Sequence, residues 1–301
     1  MGAPILITQI FGAFSMFFYD YTATMFTAGT LTALAYANRI ATLPNDMIIT
    51  PISQVLVPIF SENTAKGEFK QLTQNYYRLN TILWLIVIPI SIYFIFFSGT
   101  IIGILFERGG FNHDNALVAS ISLKLFSIGL FGYSFNAISS RVYLALQKTL
   151  WTSVSSLLIS ILSIGITYIM VKTMGFQGIP LSRSVSIVVL SVGTCILFSR
   201  MYVVDFKIKG ILIPFLKIAA FAIISGIISV YLYQELSRTI VLQVNIISLI
   251  LNLSISSVFY IGIYCLLCFL FKIEEVTYLF NIFISTIKAK TGSLFLKKVK
   301  I

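Results

Sequence analysis

The sequence predicts an all-α polytopic membrane protein with about eight transmembrane helices. Three observations carry that expectation. Of 301 residues, 58% are hydrophobic and only 10% charged, with a mean hydropathy of +0.97, whereas soluble domains carry about 25% charged residues. Eight apolar segments reach the roughly 20 residues that a helix needs to cross a bilayer. One of them, between Thr30 and Glu62, carries a single polar stripe on otherwise apolar sequence.

The segments run Pro4–Met25, Leu31–Phe60, Thr81–Ile104, Ala116–Leu146, Leu150–Lys172, Ile179–Met201, Ile211–Leu232 and Val244–Phe271. The first begins almost at once, and MGAPILITQIFGAF has neither the basic stretch nor the small-residue cleavage site of a secretory signal. Its Asp20 shares a helical face with Gln9 and Thr27. The second and fourth are too long for straight spans and should tilt, kink or leave the bilayer.

The second segment reads TLTALAYANRIATLPNDMIITPISQVLVPIFSE. On a continuous helix Thr32, Arg39, Thr42, Asp46, Thr50 and Ser53 fall within an arc of about 80°. A charge at the centre of a membrane helix costs at least roughly 2.5–3.5 kcal/mol, so the stripe needs a wet cavity or a partner. Pro44, Pro51 and Pro58 recur on the same segment, where Thr and Ser side chains and neighbouring helices can satisfy the freed carbonyls.

Arg39 has two readings, a cavity-lining cation or the counter-ion of Asp20. With a turn at Ala28–Gly29, both lie roughly 13–15 Å from it on antiparallel helices, a depth that permits contact. Asp46 sits about 10.5 Å along the axis from Arg39, which leans the other way, so a direct bridge is not expected. It is either a cation or proton site or part of a self-capped kink with Pro44 and Asn45. Lys124, some eight residues into the fourth segment, either snorkels to the outer interface or lines the cavity. Glu107, Arg108, Gly109 and Gly110 read as a tight outer turn serving folding or gate closure.

Basic residues alternate between the two sides. Lys66, Lys70, Arg78, Arg141, Lys148, Arg200, Lys207, Lys209 and the tail lysines fall on one side; Arg108, Lys172, Arg183 and Arg238 fall on the other. The positive-inside rule then puts both termini in the cytoplasm. The tail after Phe271 spaces Val276, Leu279, Phe280, Phe283 and Ile287 as an interfacial amphipathic helix.

The formal charge of +11 sits in loops and tail without a basic, aromatic-interleaved patch, which argues against nucleic acid as a partner. Cys195, Cys265 and Cys268 all lie in apolar segments, and one histidine, His113, offers no metal spacing. No P-loop, paired catalytic carboxylates or serine elbow occurs, so no cofactor and no enzymatic role is expected.

ALAYANRIATLP followed by VLVPIFSENTAKGE, the loop ILFERGGFNHDNA, the segment LFSIGLFGYSFNAISSRVYLALQKT and the turn GFQGIPLSRSVS together resemble the second half of the MurJ (MviN) family of lipid II flippases. That family lies within the multidrug and polysaccharide-lipid exporter superfamily. The resemblance covers about residues 9–202. Asn38 stands where the family often has an acid before the arginine, and Lys148–Thr149–Leu150 departs from its D-T-x-T-P turn.

The resemblance implies one six-helix lobe over 1–203, two additional helices over 204–272 bounding a lipid-tail groove, and a basic tail over 273–301. It makes Arg39 the cavity arginine that meets the diphosphate of a lipid-linked saccharide, in a multi-pass protein of the bacterial cytoplasmic membrane. Nothing matches the family's first six spans, so a missing N-terminal six-helix lobe, as a separate chain or a second copy, is the expected partner beside membrane lipids. The implied activity is translocation of polyprenyl-diphosphate-linked peptidoglycan precursor by alternating access. The alternatives are export of another polysaccharide lipid or a drug, or a non-transporting remnant.

Overall fold

The computed structural model describes residues 2–201, 208–239 and 246–271, with Ile273 and Glu275. The amphipathic tail expected beyond Phe271 lies outside the described residues, apart from those two. Among the described residues ten α-helices follow one another: α1 (Gly2–Thr24), α2 (Thr30–Pro44), α3 (Thr50–Ala65), α4 (Phe69–Phe106), α5 (His113–Ser127), α6 (Leu130–Ala145), α7 (Thr149–Met174), α8 (Gly178–Met201), α9 (Lys209–Thr239) and α10 (Ile246–Leu270). Each of the eight expected segments is occupied by one helix or by one broken helix. By length and hydropathy five helical stretches can cross a membrane, and the bent α5–α6 pair makes a sixth; α7 and α8 count there as one stretch. The chain is an all-α polytopic membrane protein.

Both over-long segments break. Between α2 and α3 the residues Asn45–Ile49 form a π-helical turn, in which the Thr50 N–H reaches five residues back to the Asn45 carbonyl. Pro44 and Pro51 flank it, and Pro51 has no N–H for the ordinary four-residue bond. The wider turn changes the helical phase, so the stripe read on a continuous helix does not stay on one face. Thr32, Arg39 and Asp46 are exposed, Thr42 and Thr50 half-buried, and Ser53 is buried.

The second break bends α5 against α6 by 41° at Ile128–Gly129. Its loosened carbonyls are met from neighbouring helices. Ser184 of α8 donates to the Leu125 carbonyl at 2.7 Å and to that of Phe126 at 3.2 Å, and Ser91 of α4 donates to the Ser127 carbonyl. Non-helical backbone at membrane depth survives only where such partners or a cavity receive it. Gly129 lets α8 approach, since a methyl there would lie 2.9 Å from the Ser184 Cα.

α7 and α8 fold back as a hairpin, with Thr167 bonded to Ser182 at 2.7 Å. Gly178 seats the hairpin, where an added methyl would be 2.5 Å from the Met170 carbonyl oxygen. α1 packs mainly on α7, through Ser15 and Ser163 at 2.9 Å, and only lightly on α2.

Two apolar cores result. One joins α3, α4, α6, α9 and α10 around Tyr76, Leu83, Ile138 and Ile218; the other joins α1, α2, α5 and the start of α8 around Ala37, Ala119 and Leu123. α4 carries Pro89, which cannot bond the Leu85 carbonyl. Tyr264 of α10 donates to that carbonyl at 3.0 Å, and Tyr260 donates to the Pro89 carbonyl at 2.8 Å. The last helix is thus fastened to the lobe at its proline.

Candidate functional site

A polar pocket of about 230 Å³ opens where the two broken helices face each other, between the two cores. α2 supplies Asn38, Ala41 and Thr42, and the π turn supplies Asn45 and Asp46. Phe126 ends α5, Tyr133 begins α6, and Arg183 and Ser184 come from α8. Transporter-type sites gather at such discontinuous helices because an interrupted ladder exposes polar backbone towards the bundle interior.

Arg183 is the cation of this pocket. Its Nη1 donates to Asn38 Oδ1 at 2.9 Å and its Nε to the Tyr133 hydroxyl at 3.1 Å. The guanidinium carbon lies 5.9 Å from the Phe126 ring centre, within cation–π range. Among the described residues no carboxylate forms a salt bridge with it. Asp46, on the same pocket, accepts instead from the Asn45 side chain at 3.1 Å. Asp20 and Tyr19 of α1 lie within electrostatic reach of the guanidinium without bonding it.

The sequence placed Arg183 among outer-loop charges, and the structure corrects that: it stands within α8, half-buried and turned inward. A single arginine near the edge of an apolar run reads as an interfacial anchor because hydropathy has no direction. The signal that could have found it is Ser182–Arg183–Ser184–Val185–Ser186, where small hydroxyl residues on both sides of the charge mark a closely packed helix.

The named site residues do not all converge. Asp46 lines the pocket together with Thr42 of the expected stripe. Arg39 lies on α2 one residue beyond Asn38 but is exposed and outside the lining; it forms no ion pair with Asp20. The counter-ion reading therefore fails in this arrangement, because α1 docks on α7 rather than along α2. Asp20 is exposed, and Thr27, expected on its face, lies beyond the end of α1 and bonds Thr30 at 3.0 Å. Lys124 is exposed in the last turn of α5 and does not line the pocket.

The outer loop is a turn. Glu107 closes α4 and pairs with His113 at 2.8 Å. Arg108 donates to the Ile104 carbonyl at 3.0 Å, and the Phe111 N–H bonds the Arg108 carbonyl at 3.1 Å. Gly109 holds φ +58°, a conformation that glycine adopts without strain; Gly110 follows it. The loop lies at the end of the bundle that also carries Gly29 (φ +93°), where a methyl would meet the Asn115 side-chain carbon at 2.9 Å.

Behind the pocket an apolar groove of about 340 Å³ runs between the lobe and α9, lined by Trp84, Phe131, Phe135, Val188, Leu212 and Phe215 among others. Phe131 and Tyr133 are two residues apart on α6 and so point to opposite sides: one lines the groove, the other the pocket. Polar pocket and apolar groove thus lie on opposite sides of α6.

Among known proteins, the family model described as Lipid II flippase MurJ matches residues 5–250. The probable lipid II flippase MurJ of Thermotoga maritima is 29% identical over 164 residues, which are 54% of this chain and 34% of that protein. Its counterpart in Buchnera aphidicola subsp. Schizaphis graminum is 26% identical over 229 residues, 73% of this chain and 43% of that protein. A solved lipid II flippase MurJ in an inward closed conformation superposes with a TM-score of 0.71 at 19% identity, covering 91% of this chain and 54% of the other. This chain spans less than half the length of both relatives.

Proposed function

The chain belongs to the MurJ family of lipid II flippases, and on that premise we propose that it acts as the C-terminal lobe of such a flippase. Its substrate would be a polyprenyl-diphosphate-linked peptidoglycan precursor, moved across the cytoplasmic membrane by alternating access. The observation that carries the reading is the polar pocket at the two facing helix breaks, with a cation inside and an apolar groove behind it. An amphipathic substrate needs both: hydrogen-bonding groups for its head and a greasy path for its tail.

In this reading residues 1–203 are the lobe, 204–272 the two helices beside the tail groove, and 273–301 a cytoplasmic tail, with both termini inside. The second lobe, a separate chain or a second copy, covers the face of α1, α2 and the π turn. Support comes from exposure there: Phe17 66%, Tyr21 53% and Met47 73%, interspersed with exposed Asp20, Arg39 and Asp46. Charged groups facing lipid are costly, so a wet interface between lobes suits them better. Arg39 would then meet the diphosphate from that interface, Asp46 and Asp20 would line it, Lys124 would anchor α5, and Glu107–Gly110 would close over it.

The test combines rescue with cross-linking. Cells depleted of their own lipid II flippase should be rescued by this chain together with its partner lobe. A photo-cross-linker at Met47 should capture a polypeptide in native membranes. Arg39→Ala should abolish rescue at normal abundance, and Arg39→Lys should restore only part, since lysine lacks the two-pronged donor geometry. A purified single copy that translocates lipid II while Met47 captures lipid alone overturns the two-lobe reading.

A further inference from the structure

Arg183 is held in a way that leaves its charge available. Its two protein partners, the Asn38 amide oxygen and the Tyr133 hydroxyl, are both neutral. They fix the plane of the guanidinium and the phenyl ring of Phe126 backs it, but none of them cancels the charge. A guanidinium has five N–H donors, and two of them are occupied. The others belong to a side chain that lines an open pocket.

The same pocket also shows what a neutralised arrangement would look like. A carboxylate in place of the Asn38 amide would stand at the 2.9 Å contact and make a charge-assisted pair. Asp46 reaches the pocket too, but its carboxylate is engaged by Asn45. A cation set among membrane helices without a bonded anion is expensive unless something arrives to meet it. Planar, preorganised and permanently charged, arginine suits the oxygens of phosphate or carboxylate.

We propose that Arg183 is an oxyanion-binding residue of this pocket, gripping a phosphate or carboxylate of the translocated lipid, and that Asn38 is the positioning residue that orients it without quenching its charge. The assignment rests on the flippase reading, and it adds a second cation, on α8, to the one expected on α2.

The test is ligand binding to the purified full chain in neutral-lipid nanodiscs, with farnesyl diphosphate, palmitate and farnesol as probes. The unmodified chain should bind one or both anionic probes at least about tenfold more tightly than farnesol, roughly 1.4 kcal/mol. The anion preferred identifies phosphate or carboxylate as the group taken. Arg183→Gln should remove the preference, and Arg183→Lys should keep part of it. Asn38→Asp, which leaves the arginine in place but pairs it, should also remove the preference. That second variant carries the test should Arg183→Gln fail to fold.

An unchanged preference in both Arg183→Gln and Asn38→Asp overturns the proposal. So does a preference that disappears in Arg39→Ala but persists without Arg183, an outcome that leaves the flippase reading standing. No preference in the unmodified chain also overturns it. The flippase reading is judged separately, by rescue of flippase-depleted cells.

Discussion

The pocket around Arg183 and the seam between α4 and α10 both set polar side chains inside an apolar bundle, and they use them in opposite ways. Along the seam tyrosine hydroxyls tie one helix to the other. Tyr264 and Tyr260 donate to the Leu85 and Pro89 carbonyls beside a proline, and Tyr93 bonds Ser257. In the pocket Arg183 has more donors than bonded protein partners, and its side chain lines the cavity. A satisfied buried network stiffens a fold, whereas donors left facing a cavity await a ligand. Burial alone does not separate the two; where the donors point does.

That contrast is open to breaking. The largest effect should come from the helix that serves pocket and groove alike. Gly178→Ala drives a methyl into the Met170 backbone, which cannot move aside as a side chain can. Overpacking of that kind costs about 3 kcal/mol. Purified protein should show a sharply lower melting temperature, and loss of both farnesyl diphosphate and farnesol binding should accompany it.

The seam comes next. Tyr264→Phe leaves the Leu85 carbonyl unmet and should cost about 1–3 kcal/mol of stability. Tyr260→Phe removes only a second donor from the Pro89 carbonyl, which the helix still serves through the Tyr93 N–H, and should cost about 1 kcal/mol. Neither should alter the anion preference of the pocket; a change there would mean that the seam and the pocket are not separate devices.

Ser184→Ala tests the border between them, because Ser184 lines the pocket yet its hydroxyl serves the Leu125 and Phe126 carbonyls at the α5–α6 break. A loss of about 1 kcal/mol in melting experiments, with anion binding retained, places it on the structural side. Thr42→Val should move stability by about 0.5 kcal/mol or less. The Thr42 hydroxyl bonds only the Arg39 carbonyl on its own helix, at 3.2 Å. Transport, measured as rescue, should fall if that polar wall meets the head group.

The smallest effect belongs to Glu107→Gln. It weakens an exposed pair with His113, whose side chain is 81% accessible, and exposed pairs contribute little. Normal melting with reduced rescue would sharpen the gate role of the loop, and normal values for both would leave it a turn.

Hydropathy alone laid out the spans of this chain, because each apolar run long enough to cross must close its backbone bonds as a helix. The turn near Gly29 and the excess length of the second and fourth segments, which had to tilt, kink or leave the bilayer, were legible for the same reason: run length against bilayer thickness, and glycine where the chain reverses. Even the polar character of Thr42 and Asp46 was visible in one dimension. The convergence was not. A π turn between Pro44 and Pro51 shifts helical phase by an amount that a uniform 100° wheel does not contain, so Ser53, beyond it, left the expected face. Arg183 lies 145 positions from Asn38, and Tyr264 lies 179 from Leu85. No local pattern encodes those meetings. They arise from how helices dock, which small residues such as Gly129 and Gly178 permit and which only the folded bundle decides.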